Sequence, residues 1–193
     1  VEILPKLGGK NMIIGFTGFH SSGKSDLCKY LELKYGWRWV IKRDLLKDWS
    51  GMGDDESAWI RWYRNLYRTS GGYKVMHHLI KRMGYSRGSN AVILMDSVHT
   101  PDEWRAITEV DPNSLLVCVY IPKELRLERS TPEDLSLDIR RERHWHSEAG
   151  DECLLSHVEW AFCGIASHEL RSLEAEALFG HLVRVGKLDP SLL

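Results

Sequence analysis

Cysteine is scarce: four residues in 193, at positions 28, 118, 153 and 163, with no C-x-x-C pair among them. That argues against a disulfide framework or a zinc ribbon, and three of the four lie in apolar stretches where a free thiol behaves as a small hydrophobe. A reducing, cytoplasmic setting is expected. An excess of charge of either sign is also lacking, with 26 Lys plus Arg against 27 Asp plus Glu. A broad nucleic-acid-binding surface is therefore not expected, and the partner is expected to be a small molecule met in a local basic pocket. Long apolar runs are missing too. The longest, Ala91 to Met95 and Leu115 to Ile121, fall far short of the roughly 18 residues that span a bilayer, and no charged leader precedes an apolar signal core. Neither membrane insertion nor secretion is expected.

The chain contains no internal repeat or low-complexity tract. At this length a domain buries roughly 70% of the surface its unfolded chain exposes, so no metal or disulfide is needed to complete a core. Residues 1–11 are read as a leader with no assigned function, and residues 12–193 as one domain.

Met12 to Thr17 is a β-rich run that breaks at Gly18, and the stretch from Lys24 to Tyr35 carries Leu27, Tyr30, Leu31 and Lys34 at helical spacing. Gly36 stops that helix, Trp37 to Ile41 forms a second strand, and Asp44 leads into further helix. Helices are expected from about Ser57 to Thr69 and from Tyr73 to Met83. The apolar runs Ala91 to Met95 and Leu115 to Tyr120 read as parallel strands covered on both faces. Pro101 suits a helix start. Pro122 to Arg129 reads as helix, Ser130 to Pro132 as punctuation, and a charged helix follows through Arg143; residues from about 126 to 150 are a candidate lid. A last strand over Val158 to Phe162 and a last helix over Ser167 to Phe179 complete the pattern. About five strands alternating with helices define an α/β protein with a parallel sheet.

One motif carries most of the chemistry. Residues Gly18 to Ser25 match G-x-x-x-x-G-K-[ST] between a strand and a helix. Glycines let such a loop turn its backbone N–H groups inward around a phosphate, and the helix behind it adds its positive N-terminus. Gly18, Ser21, Ser22 and Gly23 would form the cradle, Lys24 would reach the outer phosphates, and the Ser25 hydroxyl would ligate Mg²⁺. Asp96 ends a buried strand and so emerges at the carboxyl edge of the sheet, where open α/β sheets form their ligand crevice. It is the second candidate for Mg²⁺, the alternative being a turn cap.

From Met12 to about Leu170, the order of these features resembles the nucleoside monophosphate kinase and dephospho-CoA kinase group of P-loop proteins. The resemblance is nearest to the archaeal dephospho-CoA kinase-related proteins. Beyond the loop it rests on Tyr67 and Arg68 with Gly72 and Val75, on Val92 to Asp96 with Pro101 and Glu103, on Arg126 and Arg129, and on Arg141 to Arg143. The resemblance implies a three-layer P-loop fold whose helical lid closes over ATP. Two departures stand out. His99 replaces an arginine common three residues after the strand-ending aspartate, and Cys163 replaces an asparagine common near the adenine.

Arg61, Arg64 and Arg68 share one helix face, opposite Ile60, Tyr63 and Tyr67. Arginine forks suit phosphate, and the resemblance places Arg68 near the acceptor. Asp44 follows the second strand, where the resemblance places the acceptor too; it would accept a proton from a hydroxyl or else cap the next helix. His99 joins Asp44, Arg64 and Arg68 as a candidate for acceptor binding. Arg126 and Arg129, with Arg141 in the lid, are expected to reach the triphosphate. His144 and His146, two apart with no near third ligand, make a poor metal site. The tryptophans Trp59, Trp62 and Trp104 are read as core or interface.

The resulting expectation is an ATP- and Mg²⁺-dependent phosphotransferase with a nucleotide-like small-molecule acceptor. Lys24, Asp44, Asp96, Arg126 and Arg129 are its candidate catalytic residues. Dephospho-CoA kinase proper is one alternative, and a nucleotide-binding switch or accessory ATPase is another.

Overall fold

A computed structural model of the chain describes residues 12–86, 91–132, 154–164 and 167–190. Five parallel strands form one sheet: β1 (Met12–Thr17), β2 (Arg38–Ile41), β3 (Val92–Asp96), β4 (Leu115–Tyr120) and β5 (Trp160–Cys163), in the order β2-β3-β1-β4-β5. The central strands are apolar because both their faces are covered. Met12, Ile14 and Phe16 face one core cluster with Leu94 and Val117, while Ile13 faces the other with Ile93, Met95 and Leu116. Helices α1 (Lys24–Tyr35) and α6 (His168–Arg184) fill the first side with Leu27, Leu31, Leu178 and Leu182. Helices α3 (Glu56–Arg82) and α4 (Pro101–Val110) fill the second with Met76, Ile80, Trp104 and Ile107. This is the expected three-layer α/β arrangement.

The strand order determines what meets what. β3 lies between β1 and β2, so the first two strands in sequence are not neighbours. Parallel register brings Ile41, Asp96 and Phe16 alongside one another. The segments leaving β1, β2 and β3 therefore share the carboxyl edge, where the loop and Asp96 meet.

The short helix α2 (Lys42–Ser50) packs on α3 around Leu46, Trp59, Val75 and Leu79. α3 begins at Asp55, whose side chain accepts from the Ala58 N–H at 2.8 Å. Its line breaks at Gly71 (φ 73°, ψ 158°), which separates the two helices that the sequence predicts on either side. Helix α5 (Lys123–Arg129) follows β4.

Two expected boundaries shift. The last strand starts at Trp160 rather than Val158, because a 3₁₀ turn over Leu154–His157 draws the Val158 N–H to Leu155 O, and Glu159 N–H then starts the pairing by donating to Leu116 O. The last helix runs beyond Phe179 to Arg184, since burial of Leu182 carries the apolar face past Gly180. The leader over 1–11, most of the lid over 126–150, Arg141, and the pair His144 and His146 lie outside the described residues. Among the described residues no helix is long and apolar enough to cross a membrane.

Gly71 sits in left-handed backbone, and a Cβ there would meet nothing within 4 Å. Its replacement is therefore a pure backbone test. Gly71→Ala should destabilise the protein by roughly 1 kcal/mol, read as a lower urea midpoint; an unchanged midpoint would mean that the break is not held in solution.

Candidate functional site

The loop from Gly18 to Ser25 is held by backbone contacts that leave no room for a side chain. Gly18 has φ 146°, and a Cβ on it would lie 2.5 Å from Val119 O. Gly164, just past β5, approaches so closely that a Cβ would fall 1.9 Å from Ser22 O. Ser21 takes φ 55°, an uncommon conformation for a residue with a side chain. The first turn of α1 has no side-chain cap at Gly23, which leaves the helix's first N–H groups without a side-chain acceptor there. A helix start of this kind can receive an anion.

Lys24 is buried beneath it. Its ammonium donates to Gly18 O at 3.0 Å, to Phe19 O at 2.5 Å and to Ser22 Oγ at 3.3 Å. Ser25 Oγ donates to Asp96 Oδ2 at 2.8 Å, and Ser97 Oγ donates to Asp96 Oδ1 at 2.9 Å. Two residues 71 apart in sequence are thus brought into contact at the mouth of the loop. Ser97 has φ 79°, while Val98 N–H returns to Phe16 O at 2.7 Å, fixing the turn that carries Asp96. Beneath the site lies the Cys28 thiol, whose pKa is pushed well above its ordinary value by burial first and the Asp96 charge second. It is a core residue rather than a nucleophile.

The donor set fits a hydrated Mg²⁺ beside a polyphosphate. That ion takes one or two protein oxygens and draws its remaining ligands from water and phosphate, and Ser25 with Asp96 supplies such a pair. Among the described residues no group of three His, Cys, Asp or Glu side chains could enclose a metal.

Next to this site, at the ends of β2 and β3, lies a buried polar network. Glu103, fully buried on α4, accepts from Lys42 Nζ at 2.9 and 3.1 Å, from Tyr67 Oη at 2.6 Å and from the His99 N–H at 2.7 Å. Burial, followed by the Glu103 charge, pushes the Tyr67 phenol well above its ordinary pKa, so it stays a donor. One carboxylate thereby ties α2, α3 and the turn after β3 to α4. Tyr67 and Glu103 were among the positions that carried the resemblance, but no sequence pattern joins them to Lys42. Glu103 and Tyr67 are polar positions on helices, and Lys42 is a cation in the first turn of α2, so only tertiary packing reveals their partnership.

The remaining candidates are dispersed. Asp44 is exposed in the first turn of α2, whose N-cap is Ile41, so the capping alternative for Asp44 does not hold. Arg61, Arg64 and Arg68 line the exposed face of α3, and Arg68 donates to Asn65 Oδ1 at 2.9 Å one turn earlier. On the opposite face Trp59 stacks on Tyr63, whose ring meets that of Tyr67 at a tilt of 50°. His99 is half-buried at the turn after β3. Arg126 is buried, and its guanidinium carbon lies 4.0 Å from the Phe19 ring centroid. Arg129 is exposed, and its carbonyl accepts from Ser21 Oγ at 3.3 Å. Cys163 N–H donates to Glu174 Oε1 at 3.2 Å, which ties the end of β5 to α6. The close approach of Gly164 went unseen in the sequence, although a glycine directly after a strand is a known sign of near backbone contact.

The Lys42–Glu103 pair allows a direct check. Lys42→Met would leave a buried carboxylate without its counter-ion, and unfolding in denaturant should show a loss of roughly 3–5 kcal/mol. Asp48→Asn, which removes the exposed pair between Asp48 and Arg82, should change stability little. Equal small losses in both would show that the network is not closed in solution.

No family model and no curated protein matches the chain. Among solved structures it is similar to shikimate kinase from Aquifex aeolicus, 18% identical, covering 89% of this chain and 99% of that one with a TM-score of 0.54. It is similar to shikimate kinase from Acinetobacter baumannii in complex with shikimate, 13% identical over 91% and 94% of the two chains, TM-score 0.55. A gluconokinase from Sinorhizobium meliloti is 14% identical over 89% and 93%, TM-score 0.56. These likenesses support the fold of the broad group of small P-loop kinases, not the nearer resemblance to the dephospho-CoA kinase-related proteins. The chain has the three-layer fold of P-loop kinases, built on a five-stranded parallel sheet.

Proposed function

We propose that the protein is an ATP- and Mg²⁺-dependent phosphotransferase acting on a small molecule. The observation that carries this reading is the contact of Ser25 with Asp96 beside the buried Lys24 ammonium. Lys24 would exchange loop oxygens for those of the β and γ phosphates, keeping its charge beside the transferred group as negative charge shifts towards the leaving oxygen. Ser25 and Asp96 would hold Mg²⁺, which when bound neutralises phosphate charge. The loop N–H groups would orient the chain of phosphates, and Gly18, Ser21, Ser22 and Gly23 would line it.

The acceptor side is the edge bounded by Lys42, Asp44, Tyr67 and His99. The similar solved structures are kinases named for shikimate and gluconate, which favours a small acceptor over a macromolecule. Asp44, exposed to solvent near the end of β2, suits a hydroxyl, whose proton a carboxylate can accept. Arg64 and Arg68 would meet an acceptor phosphate only after α3 and its neighbours close on the ligand. A nucleotide-like acceptor bearing both groups, as a dephospho-coenzyme does, is the narrower form of this reading. A lid comprising Arg126, Arg129 and Arg141 would then shut out water.

Lys24→Ala should abolish turnover and weaken ATP binding, followed as ADP release and by calorimetry. Asp96→Asn should lower turnover far more than affinity, because the carboxylate matters most as transition-state charge develops. Adding the true acceptor, sought among nucleosides, nucleoside monophosphates, dephospho-CoA and small hydroxy acids, should accelerate ADP release. ADP release that no acceptor accelerates would instead identify an ATPase switch.

A further inference from the structure

The loop pattern leaves four positions unspecified between its glycines, and the first of them is occupied here by an aromatic residue, Phe19. Its ring packs against the second core cluster and also carries Arg126 of α5, with the guanidinium carbon 4.0 Å from the ring centroid. That is well within cation–π range, and such contacts strengthen when the cation is withdrawn from water. Arg126 is only 4% exposed. Through its backbone the same residue also engages the other cation, because Phe19 O accepts from Lys24 Nζ. A second tie lies one turn along α5, where Ser21 Oγ reaches Arg129 O.

We propose that Phe19 is a positioning residue: its ring holds Arg126 in place against the phosphate loop while its carbonyl is one of the loop acceptors of Lys24, so that one loop residue touches both cations. The inference rests on the phosphotransfer reading for its catalytic consequence, though not for the contact itself. A flexible arginine at a lid base would have to be ordered in each turnover, at a cost in side-chain entropy. A guanidinium already stacked on the loop has met that cost in folding and acts as preorganised charge. The carbonyl is common to every amino acid at this position, whereas the π face is not. Substitution of the side chain therefore separates the two functions.

The test uses the whole chain, with ADP release from Mg²⁺·ATP in water as the probe. Phe19→Leu keeps an apolar side chain for the core and should lower the turnover number on the order of tenfold, with ATP affinity by calorimetry little changed. Phe19→Tyr, which restores a π face, should recover most of the rate. In the nucleotide-free protein, Phe19→Leu and Arg126→Met should show a coupling energy in urea unfolding, because they remove the same contact. Independent effects in that cycle, or a Phe19→Tyr variant no faster than Phe19→Leu, would overturn the proposal, as would unchanged turnover in Phe19→Leu. If Lys24→Ala releases ADP as fast as the unaltered chain, the phosphotransfer reading fails instead, and the unfolding cycle still decides whether Phe19 holds Arg126.

Discussion

The close approach of the Gly164 backbone to Ser22 is the constraint on which the site depends. The phosphate loop is pressed between the end of β5 on one side and the end of β4 on the other, where Gly18 meets Val119. With both contacts made through backbone, the loop has little freedom to collapse outward. Lys24 is buried beside it, and its ammonium donates to loop oxygens of Gly18, Phe19 and Ser22. A cation held at the loop in this way suits the proposed role of meeting a polyphosphate.

Parallel register extends this constraint across the sheet. Phe16 and Asp96 lie side by side on β1 and β3, so the hydroxyl that opens α1 and the carboxylate that ends β3 meet without any long side chain having to be ordered. Ile41 beside Asp96 brings Lys42 to the same edge, where Glu103 takes up its charge. The two buried lysines therefore differ in kind. Lys42 meets the Glu103 carboxylate and fastens helices together, whereas Lys24 donates to oxygens of the loop itself.

The alternation of strands and helices was readable because both physical signals were strong. Ala91 to Met95 and Leu115 to Tyr120 are continuous apolar runs, and Gly36 and Pro101 punctuate helices in their preferred positions. The meeting of Lys24 and Ser25 with the loop and Asp96 was readable as a placement, because a glycine loop between a strand and a helix and an aspartate ending a neighbouring strand share the carboxyl edge; their phosphate role remains the proposal. The buried network was not readable, since Lys42, Tyr67 and Glu103 come from three elements whose mutual packing no local pattern encodes. Val158 was misread as strand because a single 3₁₀ turn displaced the start of pairing. Arg64 and Arg68 were correctly placed on one helix face, but a shared face does not say whether it meets ligand or water. Phe19 was passed over because the loop motif treats its position as open.

If the loop, Lys24 and the Ser25–Asp96 pair together hold a metal-bound nucleoside triphosphate, as proposed, its binding must depend on the metal. Calorimetric titration of ATP into the unaltered chain, with Mg²⁺ and then with the metal chelated, tests it most directly. The account predicts saturable binding near one equivalent with Mg²⁺ and a large loss of affinity without it. Affinity that is the same with and without metal, or no binding in either case, would contradict it.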